Sequence, residues 1–406
     1  MEDTNEEERV EAIKRYLEGE KPVDICRILG KTKPWLMKWV KRYRTGKEEW
    51  YKDLSKRPLF TPKKVDESIE TVVVKIRKSL MEGCEDFTKY AYVGAEAIQY
   101  HMEKLGYDPS VIPSISTIKR IFTRNHLRMY KGERPKRIRS KMRYTLLQAK
   151  FIDEIHQIDF VGPRHIKGSG PINSLHLKDV VGRQVAGNQY VGKSTDNVME
   201  FLLEYWSSHP IPRYIQTDNA MSFAGDFIHP RSFSRFVRLC LCVGIEVVFI
   251  APAKPWMNGT IEEFNKEFDR LFWKSQTFSS LSDIRAKSKT FFESQNNFNN
   301  WKAKKKKAQP TVPNRILPKD FVIDVNNIPL VAGNIHFIRM VNGKGDITVF
   351  NEFFNIGNEY IGEYVWATID TGQQILNILY NDEKMIVRKI IQFDYKIGAF
   401  PGEMSG

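Results

Sequence analysis

The spacing of apolar residues divides the chain into a helical front, a mixed middle and a strand-rich rear. Val10, Ile13 and Leu17 recur at helical spacing and the run stops at Gly19. "PVDICRILG" is a short helix closed by Gly30. "TKPWLMKWVKRYRTG" is a third, with Thr32 as its N-cap and Pro34 in its first turn. Trp35, Leu36, Trp39, Val40 and Tyr43 of that helix face inwards, which leaves Lys33, Lys38, Lys41, Arg42 and Arg44 mostly on the exposed faces. A short helix, a tight turn and a basic second helix make a helix-turn-helix, whose second helix enters the major groove. Residues 63–127 repeat the theme. A long helix over Val65–Met81 and a second over Gly94–Leu105 precede "SISTIKRIFTRNHL", capped by Ser114 or Ser116, with Lys119, Arg120 and Arg124 as its basic positions.

From Glu154 the period changes. "EIHQIDFVG", "INSLHLKDVVG" and "QVAGNQYVG" are strand-like runs separated by Gly and Pro. "DNVMEFLLEYW", "RSFSRFVRLCLCVG" and "NGTIEEFNKEFDRLFW" are helices, with the strands "RYIQTD" and "IEVVFIAP" between them. The order β-β-β-α-β-α-β-α describes an α/β layer with an antiparallel first half. Beyond "KAKKKKAQPTVP" the chain alternates as strands with Asn-Gly-Lys, Thr-Gly and Asn-Asp turns, and the economical expectation is a small β-barrel. The expected fold is multidomain. Helix-turn-helix modules over 1–57 and 62–130 are all-α, a basic linker runs over 131–150, and an α/β core covers 151–301. A second basic linker spans 302–330 and a small all-β barrel 331–400.

Charge sharpens this division. The chain of 406 residues carries a net charge of +14, and the excess is clustered. Lys31–Arg57 holds ten Lys or Arg against three acids, and Lys131–Lys150 holds eight against one. Such clustering beside helix-turn-helix patterns is the electrostatic footprint of a nucleic-acid binder. "KGERPKRIRSKMR", with Arg137 and Arg139, is a connector suited to tracking phosphates. No run of eighteen apolar residues exists, so no membrane partner is expected. The acidic N-terminus is unlike a signal peptide, and Cys26, Cys84, Cys240 and Cys242 show no paired spacing. A reducing cytoplasm is the expected setting.

Three acids stand out by position. Asp159 lies inside an apolar strand, where an unpaired carboxylate is costly. Asp218 ends the strand "RYIQTD", and the carboxyl end of a strand in an α/β sheet is where sites are built. Glu262 or Glu263 opens the helix after "PAKPWMNG". Each also has a bland reading: a paired structural carboxylate, a turn residue, and a first-turn acid favoured by the helix dipole. Together they form an oxygen-only set suited to Mg²⁺ or Mn²⁺, and two such ions roughly 4 Å apart serve in-line phosphoryl displacement. Periodicity leaves the choice of glutamate open. Glu262 shares a flank with Asn258, whereas Glu263 shares one with Glu267 and Arg270. His156 is taken as a strand residue.

"QIDFVG", "IQTDNAMSF" and "PWMNGTIEEFN", in this order, resemble the three catalytic blocks of DDE transposases and retroviral-type integrases, and within them the IS481-like insertion-sequence transposases. The resemblance covers nearly the whole chain. It implies a ribonuclease-H-like core over 151–301, with Asp159, Asp218 and Glu262 as catalytic metal ligands. Asn219, Trp256, Asn258 and Gly259 would support them. It also implies metal-dependent cleavage of a transposon end and attack of the freed 3′-OH on target DNA. Double-stranded DNA is then the partner, a homo-oligomer holds the two ends, and the setting is a prokaryotic nucleoid. The chain departs from the family in having Asp218-Asn219-Ala220 for Asp-Asn-Gly, a longer interval before Glu262, and Glu263 where Arg is common. The rivals are a decayed helix-turn-helix regulator and a ribonuclease-H-like nuclease. Duplex recognition by helix-turn-helix modules argues against an RNA substrate, whose deep narrow major groove excludes a helix.

Overall fold

The computed structural model describes residues 2–53, 65–83, 88–129, 147–166, 169–225, 232–305, 309–381 and 386–392. The chain forms two compact units, Met1–Val65 and Asp66–Gly406. The linker "RPLFTP", the loop over 226–231 and most of the basic stretch 131–150, with Arg137 and Arg139, lie outside the described residues.

The first unit holds α1 (Glu2–Leu17), α2 (Pro22–Ile28) and α3 (Lys33–Tyr43). Thr32 caps α3 by accepting from the Trp35 N–H, and Leu36, Trp39 and Val40 are buried with Ala12, Ile13 and Ile25. Tyr43, expected inside, is 38% exposed and meets Trp50 edge-on instead. Its position at the last residue of the helix puts it beyond the packed stripe.

The second unit begins with α4 (Glu67–Glu82), α5 (Ala95–Lys104) and α6 (Ile115–Arg124), the last capped by Ser114. The mixed core follows: β1 (Ile155–Ile166), β2 (Ser169–Asp179), β3 (Val185–Val191), α7 (Thr195–Trp206), β4 (Tyr214–Thr217), α8 (Met221–Ala224), α9 (Arg235–Cys242), β5 (Glu246–Phe249), α10 (Gly259–Phe268) and α11 (Leu281–Lys304). The rear supplies β6 (Asn334–Met340), β7 (Asp346–Val349), β8 (Glu352–Asn355), β9 (Tyr364–Asp370), β10 (Ile375–Asn381) and β11 (Ile386–Gln392).

A separate β-barrel over 331–400 is not what these rear strands make. They extend the core sheet, whose order is β11-β10-β9-β6-β5-β4-β1-β2-β3, while β7 and β8 form a two-stranded ribbon of their own. The join is β6, which lies parallel to β5 with Val247 beside Ile335 and Phe249 beside Phe337. Residues 335–339 are buried in succession, the mark of a strand covered on both faces rather than of a half-exposed barrel strand.

One face of the sheet packs Ile158, Leu175 and Phe337 against α7 and α9, through Leu202, Trp206 and Phe236. On the other face, α10, the helical turn Asp269–Trp273 that follows it and α11 bring Phe264, Phe268, Phe272, Phe291 and Phe292 together. Alternation along β1 then sends Gln157 and Asp159 to the α10 face, opposite Ile158 and Phe160. The α4–α6 helices share their core with Phe298 of α11, and Lys302 and Lys305 of the same stretch pair with Glu96 and Glu103. The edge of β3 is closed by α11, where the Asn296 amide bonds both the N–H and the carbonyl of Val185.

Candidate active site

The parallel register of β1 and β4 sets Ile155 beside Tyr214, His156 beside Ile215 and Gln157 beside Gln216. Continued for two residues, it brings Asp159 beside Asp218, the residue that follows β4. Neighbouring strands run about 4.8 Å apart, so two carboxylates face each other at short range. Burial, and after it the charge of Asp218, raises the Asp159 carboxyl to about 7. Lys193, the Phe160 N–H and the Asn265 side chain oppose that rise. Asp218 Oδ1 accepts from the Ala220 N–H at 3.0 Å, so an Asp-led turn forms without the family's glycine.

The same two strands dock the start of α10. Gln157 Oε1 accepts from the Ile261 N–H at 2.9 Å, satisfying one of the donors that a helix start leaves open. Gln216 Nε2 donates to the Met257 carbonyl at 2.9 Å and to Asn258 Oδ1 at 3.3 Å. Asn258 is buried and reaches the Ile158 carbonyl. Each aspartate is therefore preceded, two residues earlier on its strand, by a glutamine that holds this helix. At the far end of α10, Arg164 of β1 pairs with Asp269.

This docking gives the two glutamates different surroundings. Asn258, Glu262 and Asn265 lie at helical spacing on one face. Asn265 Nδ2 donates to Asp159 Oδ2 at 2.8 Å, so that face is turned to the aspartates, with Glu262 half-buried on it. Glu263 is exposed on the other flank, where Glu267 accepts from the Tyr92 hydroxyl at 2.7 Å. The structure brings Asp159 and Asp218 together and points the Glu262 face at them. The donor atoms of all three do not gather within 4.8 Å of one another.

Asn265 and His176 were missed by sequence reading. His176 stands opposite Asp159 on β2, fully buried among Phe264, Phe268 and Phe292. Burial lowers it to about 4, so the ring is neutral, and its Nδ1–H donates to Asn265 Oδ1 at 2.8 Å. That bond orients the amide whose other end donates to Asp159. The available signal was the 258–262–265 spacing, which marks Asn265 as a member of the Glu262 face.

Among the described residues, the group whose ligand atoms do lie within 4.8 Å of one another is Asp153, His156 and Asp179, at the start of β1. His156 is buried and its Nε2 lies 3.0 Å from Asp153 Oδ1. Asp179 accepts from the Val181 and Gly182 N–H groups, one on each oxygen, and so closes the turn between β2 and β3.

The supporting residues divide. Asn219 donates to the Ile250 carbonyl at 2.7 Å and accepts from Arg339 Nη2 at 2.8 Å. Trp256 is 45% exposed in the turn before α10. A Cβ at Gly259 would meet nothing within 4 Å, and its φ of −60° suits any residue, so no steric demand for glycine exists there. Of the basic candidates on α3, Lys33, Lys38, Lys41 and Arg44 are exposed. Arg42 is occupied, donating to the Lys52 carbonyl and lying 4.6 Å from the Trp39 ring. On α6, Lys119 and Arg120 are exposed, while Arg124 pairs with Glu70 at 2.5 Å.

Residues 3–49 match the homeodomain-like domain family, and residues 243–301 match the integrase core domain family. Together they support a place in the integrase and transposase superfamily, without singling out a branch of it. No curated protein matches the chain. Among solved structures, the HTLV-2 integrase catalytic core domain in complex with magnesium is 16% identical, covering 35% of this chain and 86% of its own, with a TM-score of 0.27. A chain of the simian T-cell lymphotropic virus intasome, in complex with PP2A regulatory subunit B56 gamma, is 12% identical. It covers 81% of this chain and 99% of its own at a TM-score of 0.32.

Proposed function

We propose that the chain is a DNA transposase or integrase of the DDE type, belonging to an IS481-like insertion sequence. The observation that carries this reading is the pairing of Asp159, just past the parallel pairing of β1 with β4, with Asp218, the residue after β4, under the helix face that bears Glu262. The donor set fits a hard divalent cation: it is all oxygen, and Asp159 is raised by its burial and, after that, by the facing carboxylate of Asp218, a charge that a cation would neutralise. Asp159 and Asp218 would hold Mg²⁺ or Mn²⁺, and Glu262 would complete the set. Divalent cations held there would supply the charge stabilisation that in-line phosphoryl displacement requires.

The rest of the work falls to the chain itself. Gln157, Gln216 and Asn258 fix Glu262 relative to the strands. The exposed basic residues of α3, and Lys119 and Arg120 of α6, would contact the phosphates of duplex transposon ends. A homo-oligomer working in a prokaryotic nucleoid belongs to the same reading.

The test is strand cleavage and transfer on the element's own ends in Mg²⁺. Asp159→Asn, Asp218→Asn and Glu262→Gln should each lose at least about a thousandfold in rate, several kcal/mol of transition-state stabilisation, while still binding end DNA. Glu263→Ala should stay active. Full activity in Glu262→Gln would refute the assignment.

A further inference from the structure

We propose that Arg339 is a positioning residue of the acidic site: its guanidinium holds the loop that carries Asp218 against the segment leading to Glu262, and so sets the spacing at which a divalent cation is taken up. This rests on the metal-site reading above.

The parallel strands place it there. The registers set Gln216 beside Val248 and Val248 beside His336, so two residues on, Asp159, Asp218, Ile250 and Ile338 form one row across four strands. Arg339 follows that row directly. Three of its four hydrogen bonds reach three other segments, and the fourth returns to the preceding residue of its own strand. Nη2 donates to Asn219 Oδ1 at 2.8 Å, in the loop next to Asp218. Nη1 donates to the Ile250 carbonyl at 3.2 Å and to the Ile338 carbonyl at 2.9 Å. Nε donates to the Thr348 carbonyl at 2.8 Å, on β7. Asn219 Nδ2 donates to the same Ile250 carbonyl at 2.7 Å, closing a ring of side chain, amide and main chain. Ile250 opens the stretch that runs through Pro252 and Asn258 into α10. The ring therefore ties the Asp218 loop to the approach to Glu262, from a residue 120 positions beyond Asn219.

The chemistry of the choice supports a positioning role. Arg339 is 8% exposed, and each of these four bonds ends on a neutral oxygen. A cation buried without a carboxylate partner is costly, and packing alone would be served by an apolar chain of similar length. A planar fork spreads its donors over three nitrogens held in fixed directions, and each of the three is used here. An ammonium on a flexible stem keeps the charge but not the geometry. Without the fork, Asn219 loses its acceptor contact, and the repulsion between Asp159 and Asp218 is free to separate them.

The experiment is Mn²⁺ binding to the full chain, followed by the free-ion electron paramagnetic resonance signal, together with end-DNA affinity and thermal melting. Arg339→Lys and Arg339→Met should each weaken Mn²⁺ binding about tenfold or more, with end-DNA affinity within about twofold of the unaltered protein, because the ring is broken while the helix-turn-helix surface is untouched. Asn219→Ala should weaken Mn²⁺ binding as well. Combined with Arg339→Lys it should add little, since both remove one contact. Asn219→Ala keeps the buried guanidinium, so it decides the matter alone if the Arg339 variants do not melt cooperatively. Unchanged Mn²⁺ affinity in Asn219→Ala, or full restoration by Lys, would overturn the role given to the fork. If Asp159→Asn and Asp218→Asn bind Mn²⁺ as tightly as the unaltered protein, the metal-site reading falls first and takes this inference with it.

Discussion

Acids stand both at the start of β1 and four residues along it, and they are treated in opposite ways. At the start of the strand, Asp153 has His156 against it, and Asp179 has a main-chain N–H on each oxygen. That cluster carries its own donors. Farther along the strand, Asp159 faces Asp218, where the Asn265 amide, the Phe160 N–H and the exposed Lys193 act on Asp159 and the Ala220 N–H on Asp218. Proximity of ligand atoms is greater in the first cluster, where burial and the charge of Asp153 raise the Asp179 carboxyl but His156 and the main-chain donors oppose the rise. The second is the one left short of positive charge. Unmet electrostatic demand, more than tight clustering, is the better guide to where a cation belongs.

This contrast can be broken at either cluster. The largest effect is expected from His156→Ala, which leaves Asp153 without its partner inside a packed strand pair. Denaturant titration should show a loss of about 2 kcal/mol, the scale for leaving a buried hydrogen-bonding group without its partner. Mn²⁺ binding should stay unchanged, and a parallel loss of it would erase the distinction between the two clusters.

Asp159→Asn should act in the opposite direction on stability. The unfolded carboxyl titrates near about 4 and the folded one at about 7. Between those values the folded protein binds an extra proton, so metal-free stability falls as pH rises through that window and then levels off. At pH 8 without metal, the Asn variant should melt a few degrees above the unaltered protein, and the gain should vanish below about pH 4. Added Mg²⁺ should raise the melting temperature of the unaltered protein alone. A smaller shift is expected from Asn265→Ala, which withdraws a donor that favours the ionised form of Asp159. Carbon-detected NMR should place the Asp159 titration higher by less than about one pH unit. A downward move would contradict the orientation fixed by His176.

How much of this was visible in the residues depended on the range over which each feature is decided. Thr32 and Ser114 cap their helices as local chemistry requires, and the aspartates are conspicuous because strand neighbours are apolar. The distinction between Glu262 and Glu263 was half visible: periodicity put Asn258 and Glu262 on one flank, but only the docked helix shows which flank faces the strands. The pairing of His176 with Asn265 joins residues 89 positions apart and leaves no periodic trace. The rear strands were misjudged for the same reason. Their alternation fits a barrel as well as a sheet extension, and the parallel partner that decides between them lies far back in the chain, at Val247–Phe249. Buried His336 and Arg339 inside β6 were the clue, since a half-exposed barrel strand would have offered them to water.

The continuity of the nine strands has a practical corollary for anyone cutting this chain. A fragment ending at residue 301, where sequence reading places the boundary of the core, would strip β6 from β5 and leave the row Val247–Phe249 as a raw apolar edge of unpaired amides and carbonyls. Such an edge recruits the nearest strand it can find, including one from another copy. Aggregation of that fragment would then report a missing neighbour and say nothing about whether the core can fold.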